Sequence, residues 1–160
     1  MLRKQILKEH TTPAARRPEE KDLAAIATVH VTSEDPNHPV DNAFDGERGP
    51  GASRWMAAEP GEQRIILAFD VPQGVSQVSL EVEEREVERT QELTLSISCD
   101  GGKSYRELLR QEYNFSPSGT TFEREEWSAK AEGVTNLQLL IKPDKGGKPC
   151  RATITSLAVQ

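Results

Sequence analysis

The chain has 160 residues, enough to bury a core without disulfide or metal staples and closer to one domain than to two. A formal net charge of −6 and an isoelectric point near 5.2 speak against a nucleic-acid partner, whose phosphates call for clustered Lys and Arg, and against an anionic membrane surface. No run approaches the 18 or so consecutive apolar residues that a spanning helix needs, and the 35% of hydrophobic residues fall in short alternating runs.

In chain order, residues 1–23 are expected to be a flexible leader, since Thr-Thr-Pro, Arg-Arg-Pro and Glu-Glu-Lys-Asp follow one another with no sustained period. One helical turn fits near Leu2 to Lys8. The opening Met1-Leu2-Arg3-Lys4 is basic but meets Lys8 and Glu9 before an apolar stretch of signal length can form, so a cytoplasmic location is expected by default. Residues 1–22 carry six basic and four acidic side chains and the rest carries 14 and 22, which makes the body of the protein more acidic than the whole.

The domain is expected to run from 24 to 160. Ala25 to Val31 reads as a first strand. Residues 32–58 hold Pro36, Pro39, Pro50, Gly46, Gly49 and Gly51, a density that marks a long ordered loop. A period of two follows: Ile65, Leu67 and Phe69; Val78, Leu80 and Val82; Leu93, Leu95, Ile97 and Cys99. These predict antiparallel strands with one wet face. The charged stretch Glu81 to Glu92 is read as strand, solvated turn and strand in preference to a helix. Asp100-Gly101-Gly102-Lys103-Ser104 signals a turn, and Phe122 to Ala129, Leu137 to Ile141 and Ala152 to Val159 supply further strands around a 143–149 loop. Many short strands with no internal repeat predict an all-β chain, a β-sandwich or jelly roll.

Cys99 and Cys150, far apart in sequence, suit two free and largely buried thiols, with a single bridge open if their strands are neighbours. His10, His30 and His38 lack metal spacing, and neither a nucleophile elbow nor a phosphate-cradling loop is present, so no catalytic function is expected. Asp41 and Asp45 sit four apart in a loop, where their oxygens could converge on calcium or, for Asp45, cap a local turn. Tyr113 and Phe115 precede the Ser116-Pro117-Ser118-Gly119 loop signals. With Asn114 between them they fit a platform for a sugar ring, the alternative being that Phe115 and Phe122 clamp the long loop onto the end of the barrel.

The order of Asp41-Asn42-Ala43-Phe44-Asp45-Gly46, Ser53-Arg54-Trp55 and the run Arg64 to Asp70 resembles the opening of discoidin domains, the coagulation factor V/VIII C-type or galactose-binding-like modules. Ser96 to Tyr105 looks like the family's strand, Asp-Gly turn and aromatic, and Ala152 to Val159 like its closing strand. The resemblance covers about residues 24 to 160. It implies a single galactose-binding-like sandwich, a buried Trp55, and a non-catalytic module that binds through loops near 33–40, 54–60, 84–91 and 111–122.

A glycan is the expected partner, with His38, Arg54, Tyr113, Asn114 and Phe115 as the ligand-binding candidates. The alternative partner is a protein, in an intracellular docking role with the 81–92 hairpin as contact. The resemblance also implies a structural calcium: Asp45 and Ser53 match its ligand pattern, whereas Arg48 and Ser156 stand where acidic ligands are expected. Arg48 or Arg54 could therefore pair with Asp45 in place of the ion.

Overall fold

A computed structural model describes residues 19–160. A four-residue helical turn, α1 (Leu23–Ile26), leads into β1 (Ala27–Val31), and a short 3-10 turn (Val40–Ala43) interrupts the long loop before β2 (Trp55–Met56). β3 (Gln63–Glu83), β4 (Arg89–Ser98), β5 (Arg106–Phe115), β6 (Phe122–Lys142), β7 (Thr153–Ile154) and β8 (Ser156–Val159) complete the chain.

β3 and β6, at 21 residues each, are long enough to belong to both layers of a sandwich. The first part of β3 pairs with β1 and with residues 136–141 of β6, and its second part pairs with residues 122–128 of β6 and with β8. Register irregularities between Ala68 and Gln77 mark where the strands turn from one layer to the other. One layer thus has the order β1-β3-β6-β4-β5, with β8 added beside the far half of β3, and β2 pairs with β7 separately. All pairings are antiparallel.

The alternating side chains meet between the layers as the period of two predicts. Ile65, Leu67, Leu93, Leu95, Ile97, Leu137, Leu139 and Ile141 from one layer pack in one core with Val78, Leu80, Val82, Leu157 and Val159 from the other. The expected wet face of β4 is buried as well: Thr94, Ser96 and Ser98 are all enclosed. On that face Arg110 of β5 and Lys142 of β6 reach Glu92 from either side, at 3.6 and 3.9 Å, and their stems lie over a strand that has a neighbour on both edges.

The outer face of β3 has its own cover. Glu81 and Glu83 flank Val82 and so point away from the core, yet both are buried because the loop 46–52 lies on them. Their carboxylates accept the backbone N–H groups of Gly49 and Gly51, each at 2.8 Å. Both glycines hold a φ of +84°, a left-handed conformation that side chains with a Cβ disfavour and that lets two alternate N–H groups face the sheet.

Several expectations need correction. β5 was not expected: residues 106–115 form a full edge strand where sequence signals ran into a loop. The separate runs 64–69 and 78–82 are one strand, as are 122–129 and 137–141. Residues 1–18, with the helical turn near Leu2 to Lys8, lie outside the described residues. The leader's last residues belong to the domain, since Glu20 and Leu23 are buried and the Lys21 N–H donates to the Val159 carbonyl at 2.7 Å. Both thiols are free, and Cys99 is exposed where a buried one was expected, while Cys150 is buried. No helix among the described residues is long and apolar enough to cross a membrane.

Candidate functional site

The register brings the end of β1, the starts of β3 and β4, and the ends of β5 and β6 to one end of the sandwich. The loops 32–62, 84–88, 116–121 and 143–152 therefore share that end, which is where binding residues on a rigid scaffold are usually carried. A groove opens there, with Arg54, Met56, Glu86, Val87, Lys148 and Arg151 among its lining residues.

Trp55 sets the near wall. Its ring is fully buried and its indole N–H donates to the Ser33 carbonyl at 3.0 Å, so Arg54 and Met56 on either side of it face outward together. Loop 35–38 is laced to the same short strand: Asp35 N–H donates to the Met56 carbonyl at 2.8 Å and Met56 N–H to the His38 carbonyl at 3.1 Å. His38 stands half-exposed beside the groove with Nδ1 3.4 Å from Asp35. Asp35 accepts the Asn37 N–H and a 2.9 Å bond from Arg151, which hold its carboxyl below the usual carboxylate range.

The floor is a buried polar cluster centred on Arg89. Its guanidinium donates to Glu84 Oε1, Gln91 Oε1 and the Pro143 carbonyl, each at 2.8 Å, and to Thr153 Oγ1 at 3.4 Å. It also lies over the Phe115 ring, 5.2 Å from the centroid. One side chain thus ties together the 84–88 loop, the 143–152 loop and β7. Sequence reading passed over Arg89 as part of a solvated charged turn. The signal was the phase of β4: positions 89, 91, 93, 95 and 97 share the inward face, so Arg89 and Gln91 had to be buried with Leu93, Leu95 and Ile97. Met56 and Arg151 were also missed, because neither sits in a recognisable motif.

The five ligand-binding candidates do not form one constellation. Arg54 lines the groove and His38 stands at its edge. Tyr113 and Phe115 pair in register with Gln91 and Arg89 on the inner face of β5 and are 3% and 1% exposed, so neither ring offers a face to a ligand. This corrects the platform expectation. Both rings are core side chains, 6.4 Å apart, while Phe122, the other half of the expected clamp, is not among the side chains of that core. Burial, then the nearby carboxylates of Glu125 and Glu123, push the Tyr113 hydroxyl far up. Asn114 lies on the opposite, exposed face of β5, where it accepts a 2.8 Å bond from Thr90. Trp127 is half-buried and donates to Gln111 at 2.8 Å, joining β6 to β5 away from the groove.

The residues expected to hold calcium do not fit it. Asp45 accepts the Ser53 hydroxyl through one oxygen and the Glu47 N–H at 2.9 Å through the other, an arrangement that closes the turn and spends both candidates on each other. Arg48 places a guanidinium in the cavity it shares with Asp45 and Ser156, and it pairs with Glu20 at 2.5 Å. Neither Arg48 nor Arg54 bonds Asp45. A cation built into the chain and too few free oxygens oppose a hard ion that takes six to eight oxygen ligands. Excess calcium and excess EDTA are each expected to leave the melting temperature unchanged, and a rise of several degrees with calcium in a thermal scan would contradict this.

No family model matches the sequence, and no curated protein is similar to it. Solved structures are similar in fold. A family 32 carbohydrate-binding module (CBM32) from a family 31 glycoside hydrolase of Clostridium perfringens superposes with a TM-score of 0.65 at 15% identity, over 88% of this chain and 93% of that one. The CBM32 of C. perfringens NanJ, solved in complex with galactose, gives 0.60 at 14% identity over 88% and 96%. The CBM32 of AlyQ, in complex with 4,5-unsaturated mannuronic acid, gives 0.60 at 20% over 88% and 97%. The chain has the galactose-binding-like β-sandwich fold.

Proposed function

We infer that this chain is a non-catalytic carbohydrate-binding module that takes its glycan in the groove at the loop end. The observation that carries this reading is the groove itself: hydrogen-bonding side chains and the apolar Met56, Val87 and Pro149 line it together, on segments pinned to the core by Trp55 and Arg89. A sugar needs both kinds of contact, since its ring presents C–H faces and its edge presents hydroxyls. Similarly folded neighbours bind sugars, which supports the same reading. Met56 supplies the apolar contact here, because no aromatic side chain among the described residues lines the groove.

A glycan array probed with the purified chain tests this. Binding is expected to a defined set of glycans, weakened roughly tenfold by Met56→Ala, the effect of losing about 1.4 kcal/mol of contact. Silence across the array would overturn the reading and leave protein docking as the role of the groove.

A further inference from the structure

The charges around the groove are unequally committed. Glu84 is spent on Arg89 at 2.8 Å, and Arg151 on Asp35 at 2.9 Å. Lys148 donates its ammonium to the neutral carbonyl of Glu88 and shares its charge with Asp144. Among the described residues Arg54 has no side-chain partner, although it is half-buried and its backbone is held in place by the Asn42 amide, which donates to the Arg54 carbonyl at 3.0 Å. Glu86, exposed in the same lining, is the one lining acid without a cation partner among the described residues. Arg54 is therefore the lining cation that no acid of the described residues takes up, on a protein whose net charge is −6.

A half-buried guanidinium that forgoes every internal carboxylate on an acid-rich chain is placed to receive one from outside. Its planar fork matches a carboxylate through two parallel N–H···O bonds, which a point-charge ammonium cannot do. Resting on the carbohydrate reading above, the geometry points to a uronate as the ligand: a sugar whose ring carboxylate is taken by Arg54, with Lys148 of the same lining adding charge and Met56 against the ring. A sulfated sugar offers an anion to the same groove, but its tetrahedral group lacks the planar match.

Calorimetric titration of the full chain tests this with oligogalacturonate and oligomannuronate, the methyl ester of each, and a galactose 6-sulfate oligosaccharide. One of the free acids is expected to bind at least tenfold more tightly than its own methyl ester. Arg54→Gln is expected to erase that preference by lowering affinity for the free acid to that of its ester, with the melting temperature unchanged. Equal affinity for acid and ester would overturn the uronate assignment and leave the carbohydrate reading standing. Tighter binding of the sulfate than of either uronate would replace the carboxylate by a sulfate ester. Failure of every acid, ester and sulfate to bind would overturn the assignment, and silence on a general glycan array as well would remove the carbohydrate reading beneath it.

Discussion

Arg89→Ala is expected to destabilise the fold by about 3–5 kcal/mol, because it removes one partner of a buried ion pair and strands the other. Glu84 would keep an enclosed carboxylate without its 2.8 Å guanidinium, and Gln91, Thr153 and the Pro143 carbonyl would each lose a donor. For a domain of this size that corresponds to a fall in melting temperature of roughly 6–20 °C. The pair Arg89→Met with Glu84→Leu should recover much of the loss, since apolar side chains of similar volume can replace a buried ion pair at little cost. A single variant within about 1 kcal/mol of the parent by urea denaturation would show that the cluster does not tie the groove loops together.

Tyr113 gives the second large effect, and the sign depends on the replacement. Tyr113→Ala is expected to cost about 3–5 kcal/mol through the cavity it leaves in the core. Tyr113→Phe should be neutral or stabilising by about 1 kcal/mol, because the hydroxyl it removes is buried without a hydrogen-bond partner and lies across the strand pair from Gln91, whose Nε2 lacks one as well. Tyr113→Phe should also leave glycan affinity unchanged. A stable Tyr113→Ala protein that had lost only glycan binding would restore the ring as a ligand platform.

The fold was legible where burial and period agree. Leu93, Leu95 and Ile97, and Ile65, Leu67 and Phe69, declare both their strands and their inward faces, and Trp55 reads as core from its place before the first long strand. β5 stayed hidden because Arg106, Glu107, Arg110 and Glu112 crowd it with charge, as an edge strand's solvent face permits, while Gln111 interrupts its inward row. The runs before and after Pro72 and Gly74 read as separate strands, yet the chain passes through these residues as a bulged corner from one layer to the other.

The site was half legible for a related reason. Loop residues such as His38 and Arg54 are placed at the rim through the resemblance to discoidin domains, which implies binding loops near 33–40 and 54–60. Tyr113 and Phe115 were drawn toward the rim by the turn signals that follow them, although their spacing of two already put both on one face of a strand. Arg89 is the converse: a charged residue whose phase with Leu93 and Leu95 outweighs its polarity, because a buried guanidinium can be satisfied by Glu84, Gln91 and a carbonyl. The partner of Arg48 was beyond sequence reasoning, since Glu20 lies 28 residues away in a segment expected to be free of the core.

Where a glycan binds on this chain is tested most directly by two-dimensional amide NMR of the labelled protein, titrated with a sugar found on the array. The account predicts shift changes confined to 35–38, 54–58, 84–88 and 148–153, around the groove. Changes centred instead on the opposite end, at the 99–105 turn and the 129–135 corner, would contradict it.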